Sequence, residues 1–177
     1  MTRLHVPVPL RWADLDAYGH VNNVEVLRLL EEARIAAFWR HDPAAGSLPT
    51  AVLDAGPTAG THTLVARQEV EYLRPISYRR EPLLVEMWLG HLGGASIDVC
   101  YLLTTGSDRG AAEGEADRGT DRGTDREVFV QATTTLVLID AATGRPRRIT
   151  PDERAVWGPY LEAPVVMRRR PERAPSA

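Results

Sequence analysis

The residues best suited to chemistry lie together near the start of the chain, in the run Asp16-Ala17-Tyr18-Gly19-His20-Val21-Asn22-Asn23. A carboxylate sits on a segment that glycine and asparagine mark as a loop, and a long helix is expected to begin where the run ends. The first turn of a helix exposes about four unpaired N–H groups and carries partial positive charge. Such amides could polarise a carbonyl oxygen while Asp16 faces the carbonyl carbon as a base or a nucleophile. The same residues also suit a carboxylate that caps the helix or complements its dipole. The pattern alone leaves both readings open.

The helix that must position this loop is expected over residues 22–41. That stretch contains no Pro or Gly and is rich in Leu, Ala, Glu and Arg, all strong helix formers. Asn22 or Asn23 is a ready N-cap, and Glu25 places negative charge in the first turn. Val26, Leu29, Leu30, Ala33, Ala37 and Phe38 recur at spacings of three and four and form one apolar stripe. Leu27 and Ile35 widen it, while Arg28, Glu31, Glu32 and Arg34 supply a polar side. At ~1.5 Å per residue the helix is roughly 25 Å long, enough to run across a sheet. Pro43 and Gly46 are expected to end it.

The rest of the chain reads mainly as strands. Residues 4–15 alternate apolar and polar, with Pro7 and Pro9 arguing for an irregular start or an edge position. Three further strand-like stretches cover 61–73, 82–92 and 95–105, and a long Val- and Thr-rich strand covers 127–140. A short helix is expected within 150–161, with Thr150 as cap and Pro151 at its first position. One strand, one long helix and then four strands argue for α+β, with an antiparallel sheet covering the helix. The connections after residue 75 are short enough for hairpins, except for 106–127. There Asp-Arg-Gly recurs three times with no apolar residue beyond alanine, which predicts a disordered hairpin extension. Residues 1–162 are taken as one domain and 163–177 as a tail, whose last part is rich in arginine and proline and is expected to be frayed and solvated.

Composition excludes several function classes. The chain has 177 residues and a formal net charge of -3, which gives no electrostatic reason to expect nucleic acid or an anionic membrane as partner. Lysine is absent, so Schiff-base and P-loop lysine mechanisms are excluded. The single cysteine, Cys100, cannot form an internal disulfide, and zinc-site spacings are missing. No apolar run is long enough to span a membrane and the N-terminus lacks a signal-peptide apolar region, so a soluble cytoplasmic protein is expected. No metal and no cofactor are expected.

The run Arg11-Trp-Ala-Asp-Leu-Asp16, continued by Ala-Tyr-Gly-His-Val-Asn-Asn23 and the amphipathic helix, resembles the opening of hotdog-fold acyl-CoA thioesterases of the 4-hydroxybenzoyl-CoA thioesterase class. Residues 70–103, with their Tyr-Leu-Arg-Pro step and a serine after a glycine-rich turn, are similar to that family's second and third strands. The resemblance covers roughly residues 5 to 140, leaving out the repeat. It implies the hotdog fold, a five-stranded antiparallel sheet wrapped around one long central helix, in homodimers or homotetramers that bind acyl-CoA at a subunit interface. It places the catalytic role on Asp16, the second aspartate of the pair, with Asp14 a structural neighbour on the strand. Amides near Asn22, Asn23 and Val24 would hold the thioester oxygen. His20 is read as organising the loop or positioning substrate, Asn22 and Asn23 as cap and anchor, and Gly19 as the turn residue; Tyr18 either lines the pocket or is exposed.

One departure concerns the nucleotide. Family members often carry basic residues just before the serine of the third strand, whereas Gly93, Gly94 and Ala95 precede Ser96 here. Arg74, Arg79, Arg80 or the arginine-rich tail are the remaining candidates for CoA phosphates, and an acyl-carrier thioester stays open. Two rivals are a hotdog-fold enoyl-CoA hydratase, which normally sets its acidic residue and histidine at a different spacing, and a non-catalytic acyl-binding hotdog protein.

Overall fold

A computed structural model describes residues 2–40, 47–106 and 126–168. The Asp-Arg-Gly repeat, apart from Gly106, Arg126 and Glu127, and the last nine residues of the tail lie outside the described residues, as do Pro43 and Gly46.

In chain order the elements are β1 (Leu4–Val8), α1 (Asn23–Phe38), β2 (Thr61–Tyr72), β3 (Leu83–Leu92), β4 (Ser96–Thr105), β5 (Val128–Asp140) and α2 (Pro151–Trp157). The strands form one sheet in the order β1-β3-β4-β5-β2, and every pairing is antiparallel. The expected α+β architecture of five antiparallel strands and one main helix is what the described residues form. Alternation decides which face is buried: Leu83, Val85, Met87 and Leu89 of β3, Ile97, Val99, Tyr101 and Leu103 of β4, and Val130, Ala132, Leu136 and Leu138 of β5 join Val26, Leu29, Leu30, Ala33, Ala37 and Phe38 of α1 in one core.

Several boundaries differ from the sequence reading. The first strand stops at Val8 and lies at a sheet edge, where Pro7 and Pro9 cost no ladder hydrogen bonds. Residues Trp12–Asp14 form a 3-10 turn instead, so Asp14 is not on a strand. Helix α1 ends at Phe38, not His41, because tertiary pairing takes over its last residues. Arg40 N–H donates to Leu53 O (2.8 Å) and Leu53 N–H to Phe38 O (3.0 Å), drawing Trp39 into extended backbone. Arg34 is not on a polar face but buried at 5% exposure, while Ile35 is 40% exposed. The wide apolar stripe therefore contains a charge.

The β2–β3 connection is not a hairpin. Strand β2 pairs with β5 at one edge while β3 pairs with β1 and β4, so the chain after Tyr72 crosses the end of the sheet. Adjacent strands in sequence need not be neighbours in space, and only long-range pairing decides it. This crossing carries Ile76 and Ser77 against the 16–23 loop: Val21 N–H donates to Ile76 O at 2.8 Å, and His20 bridges to Ser77.

Helix α2 forms as expected, with a capping box between Thr150 and Glu153 and Pro151 at its start. It delivers Trp157 to the core, edge-on to Phe38 at 5.9 Å, with its indole N–H on Thr50 O at 3.1 Å. The chain then runs over the outer face of the sheet, where Trp88 donates to Ala163 O and Gln131 to Val166 O. Among the described residues no helix is long and apolar enough to cross a membrane.

Candidate active site

The loop that carries Asp16 is held from below by Asp14. This carboxylate is fully buried, at 0% exposure. Its Oδ2 accepts the Arg11 backbone N–H at 2.7 Å, and its Oδ1 accepts from Arg11 Nε (3.0 Å), Arg11 Nη2 (2.8 Å) and Arg28 Nη2 (2.9 Å). Burial alone would raise the Asp14 pKa, but the hydrogen bonds and charge of Arg11 and Arg28 outweigh it and hold the carboxyl below its ordinary value. Because Arg11 precedes the loop and Arg28 sits on the second turn of α1, this one side chain ties the loop's start to the helix that follows. Its backbone carbonyl does so again by accepting the Asn22 N–H at 2.8 Å.

Asp16 is half-buried and organises the loop around itself. Its Oδ1 accepts the backbone N–H groups of Tyr18 (2.8 Å) and His20 (3.1 Å), its own N–H donates to His20 O (2.7 Å), and its carbonyl accepts the Gly19 N–H (3.1 Å). Gly19 has φ +77°, a conformation with little penalty only for glycine. These bonds orient the carboxylate through one oxygen; Oδ2 has no partner among the described residues. Asp16 lines a cavity of about 370 Å³ together with His20, Asn23, Tyr72, Arg74 and Ile76.

The helix start is less open than the sequence implies. Asn22 is the N-cap, and its Oδ1 accepts the Val24 N–H at 3.0 Å, while the Asn22 N–H is taken by Asp14. Of the three amides expected to face a carbonyl oxygen, only that of Asn23 has no acceptor among the described residues. The cost of a well-made cap is that it consumes the donors a substrate would use.

The other expected site residues divide. His20, Asn23 and Arg74 share the Asp16 cavity, and Arg74 also pairs with Glu127 at 2.8 Å. Tyr18 and Val24 point to solvent. Arg79 lies 3.8 Å from Glu81, and Arg80 is exposed. Ser96 opens β4 beside the Gly93 turn and does not line this cavity. Tyr72 was not singled out from sequence, although it belongs to the Tyr-Leu-Arg-Pro step. Its hydroxyl donates to Asn23 O at 3.2 Å, bracing the first residue of α1 from β2, and partial burial raises its pKa.

A family model of the thioesterase-like superfamily matches residues 10–158. The chain belongs to that superfamily. The matched span contains the Asp16 loop, α1 and strands β2 to β5. Among solved structures, a thioesterase from Thermus thermophilus, complexed with coenzyme A and zinc, is 29% identical with a TM-score of 0.57, over 87% of this chain and 94% of that one. The YbaW probable thioesterase from Escherichia coli is 21% identical with a TM-score of 0.60, over 89% and 98% of the two chains. A thioesterase-superfamily protein from Jannaschia sp. CCS1 is 19% identical with a TM-score of 0.65, over 92% and 95%. At these lower identities the last two speak to the hotdog fold alone. No curated protein matches the sequence.

Proposed function

We propose that this superfamily member hydrolyses an acyl-CoA thioester with Asp16 as general base and no metal or cofactor. The observation that carries the reading is an oriented carboxylate with one oxygen unpartnered among the described residues, in a cavity also lined by Asn23, whose amide has no acceptor among them. The Asn23 N–H holds the thioester oxygen as charge builds on it, and Asp16 Oδ2 takes a proton from the attacking water. Collapse of the tetrahedral intermediate breaks the C–S bond and releases CoA thiolate, a good leaving group that needs no strong acid. His20 and Tyr72 shape the cavity from the loop and from β2.

For the nucleotide, we take Arg74, which lines the cavity, and the exposed Arg80 as the cations that meet CoA phosphates; Arg79 and Ser96 carry less weight. The coenzyme A bound to the Thermus relative supports CoA over a carrier protein. We further propose a homodimer through β2, a twelve-residue edge strand that leaves Leu64 and Val65 exposed, an arrangement that would place the site beside a subunit interface.

The test is Asp16→Asn, assayed by thiol release from a panel of aliphatic and aromatic acyl-CoAs. Turnover should fall at least about a hundredfold, roughly 3 kcal/mol of barrier, with melting temperature preserved. Single turnover in ¹⁸O-water should label the released acid and not Asp16. Equal turnover in the variant would remove Asp16 from the chemistry, and binding of acyl-CoA without hydrolysis by either protein would replace the enzyme by an acyl-binding protein.

A further inference from the structure

A second, larger cavity, of about 550 Å³, lies between α1 and β2 and is lined by the charged Glu31, Arg34 and Arg40 and by apolar residues that include Ile35, Trp39 and Val65. On α1, Asn23 and Val26 at the first cavity, the buried Leu30 and then Arg34 at the second recur at spacings of three and four, so they lie on one stripe. On β2 the order runs the opposite way, with Tyr72 at the first cavity and Val65 and Thr63 at the second. The two cavities therefore follow one another along the same helix stripe and the same strand, separated at the buried Leu30. Along α1 the span from Asn23 to Arg34 is about 16 Å at ~1.5 Å per residue, the reach of an extended medium-chain acyl group.

The second cavity is not simply apolar. The Arg34 side chain is 6% exposed, and its guanidinium has five N–H donors. Nη1 donates to the buried Tyr101 hydroxyl at 3.4 Å, and Nη2 lies 3.9 Å from Glu31 Oε1, whose side chain is 62% exposed. Among the described residues it has no other partner. A buried guanidinium with one long hydrogen bond and one distant, solvated counter-charge is under-satisfied, and planar two-pronged pairing with a carboxylate is the interaction it is built for.

We propose that Arg34 is a specificity residue that selects acyl groups ending in a carboxylate, so that the preferred substrates are monothioesters of medium-chain dicarboxylic acids. The inference rests on the hydrolase reading for its reaction, but the subsite itself is defined by Arg34 and the cavity it lines. In this proposal the acyl chain leaves the first cavity over Leu30 and enters the second, where Arg34, held from behind by the buried Tyr101 hydroxyl, receives the distal carboxylate.

The experiment compares sebacoyl-CoA, the monothioester of decanedioic acid, with decanoyl-CoA on the wild-type protein and on Arg34→Gln and Arg34→Lys, together with calorimetric binding of free sebacate and light scattering of each variant. The wild type should favour sebacoyl-CoA at least tenfold in kcat/KM. Arg34→Gln should reverse that ratio and lose sebacate binding, and Arg34→Lys should restore part of the preference. A wild-type preference for decanoyl-CoA would overturn the inference. So would an Arg34→Gln variant that keeps the ratio, or that changes oligomeric state with the ratio intact, since Arg34 would then be an interface ion-pair partner. Absence of all thioester turnover with sebacate binding intact would overturn the hydrolase reading and leave the subsite standing.

Discussion

Asp14→Asn keeps the shape of the side chain but removes the charge that two guanidinium groups enclose. Four hydrogen bonds end on this carboxylate, three from Arg11 and one from Arg28. Breaking a buried ion pair by removing one partner costs about 3–5 kcal/mol. The lower end applies here because Arg11 is 59% exposed and can return to water, and Arg28 keeps Glu25 at 2.6 Å. The expected loss is about 3 kcal/mol, or roughly 6–12 °C in melting temperature for a chain of this size. The Asp14 pKa lies below its ordinary 3.8 in the folded protein. Its contribution is therefore fully present above about pH 4 and is lost as pH falls through the lower folded value. Once Asp14 is protonated it resembles the asparagine. Urea unfolding of both proteins from pH 7 down to pH 3 should show a gap of about 3 kcal/mol that narrows towards the acid end. A gap under about 0.5 kcal/mol, or one that stays constant across that range, would refute the clamp.

Two other substitutions probe how the site is supported. Asn22→Ala removes the acceptor of the Val24 N–H and should cost about 1 kcal/mol in denaturant unfolding; because the Val24 amide is freed at the helix start, KM and kcat measured on the same variant report whether that donor joins the cavity. Trp157→Ala empties a fully buried site against Phe38 and strands Thr50 O without its indole donor, so calorimetry should find a loss of about 3–5 kcal/mol with unchanged dependence of rate on acyl chain.

What could be read from the chain alone was local. Strong helix formers without Pro or Gly, an asparagine at the start and an apolar stripe specify α1 wherever it packs, and period-two alternation specifies which face of β3, β4 and β5 is buried. The Asp16 loop was legible for the same reason: Gly19, Asn22 and Asn23 act on their own immediate backbone, and eight consecutive residues hold both the carboxylate and the helix start. The Thr150–Glu153 box and Pro151 likewise announce α2 within four residues.

The rest depended on contacts between residues far apart in sequence. Nothing near Tyr72 says that β2 pairs with β5 across the sheet, yet that choice sets β2 beside the cavities along α1 and brings Ile76 and Ser77 onto the loop. Helical period placed Arg34 among polar neighbours, and only the Tyr101 hydroxyl from β4 and the gap beside β2 turned it inward. Asp14 could not be told from a strand residue until Arg28 reached it from the helix. Propensity acts through neighbouring backbone, so a sequence declares its helices, turns and caps; burial of a charge and the walls of a cavity arise from surfaces that meet only after the chain has folded.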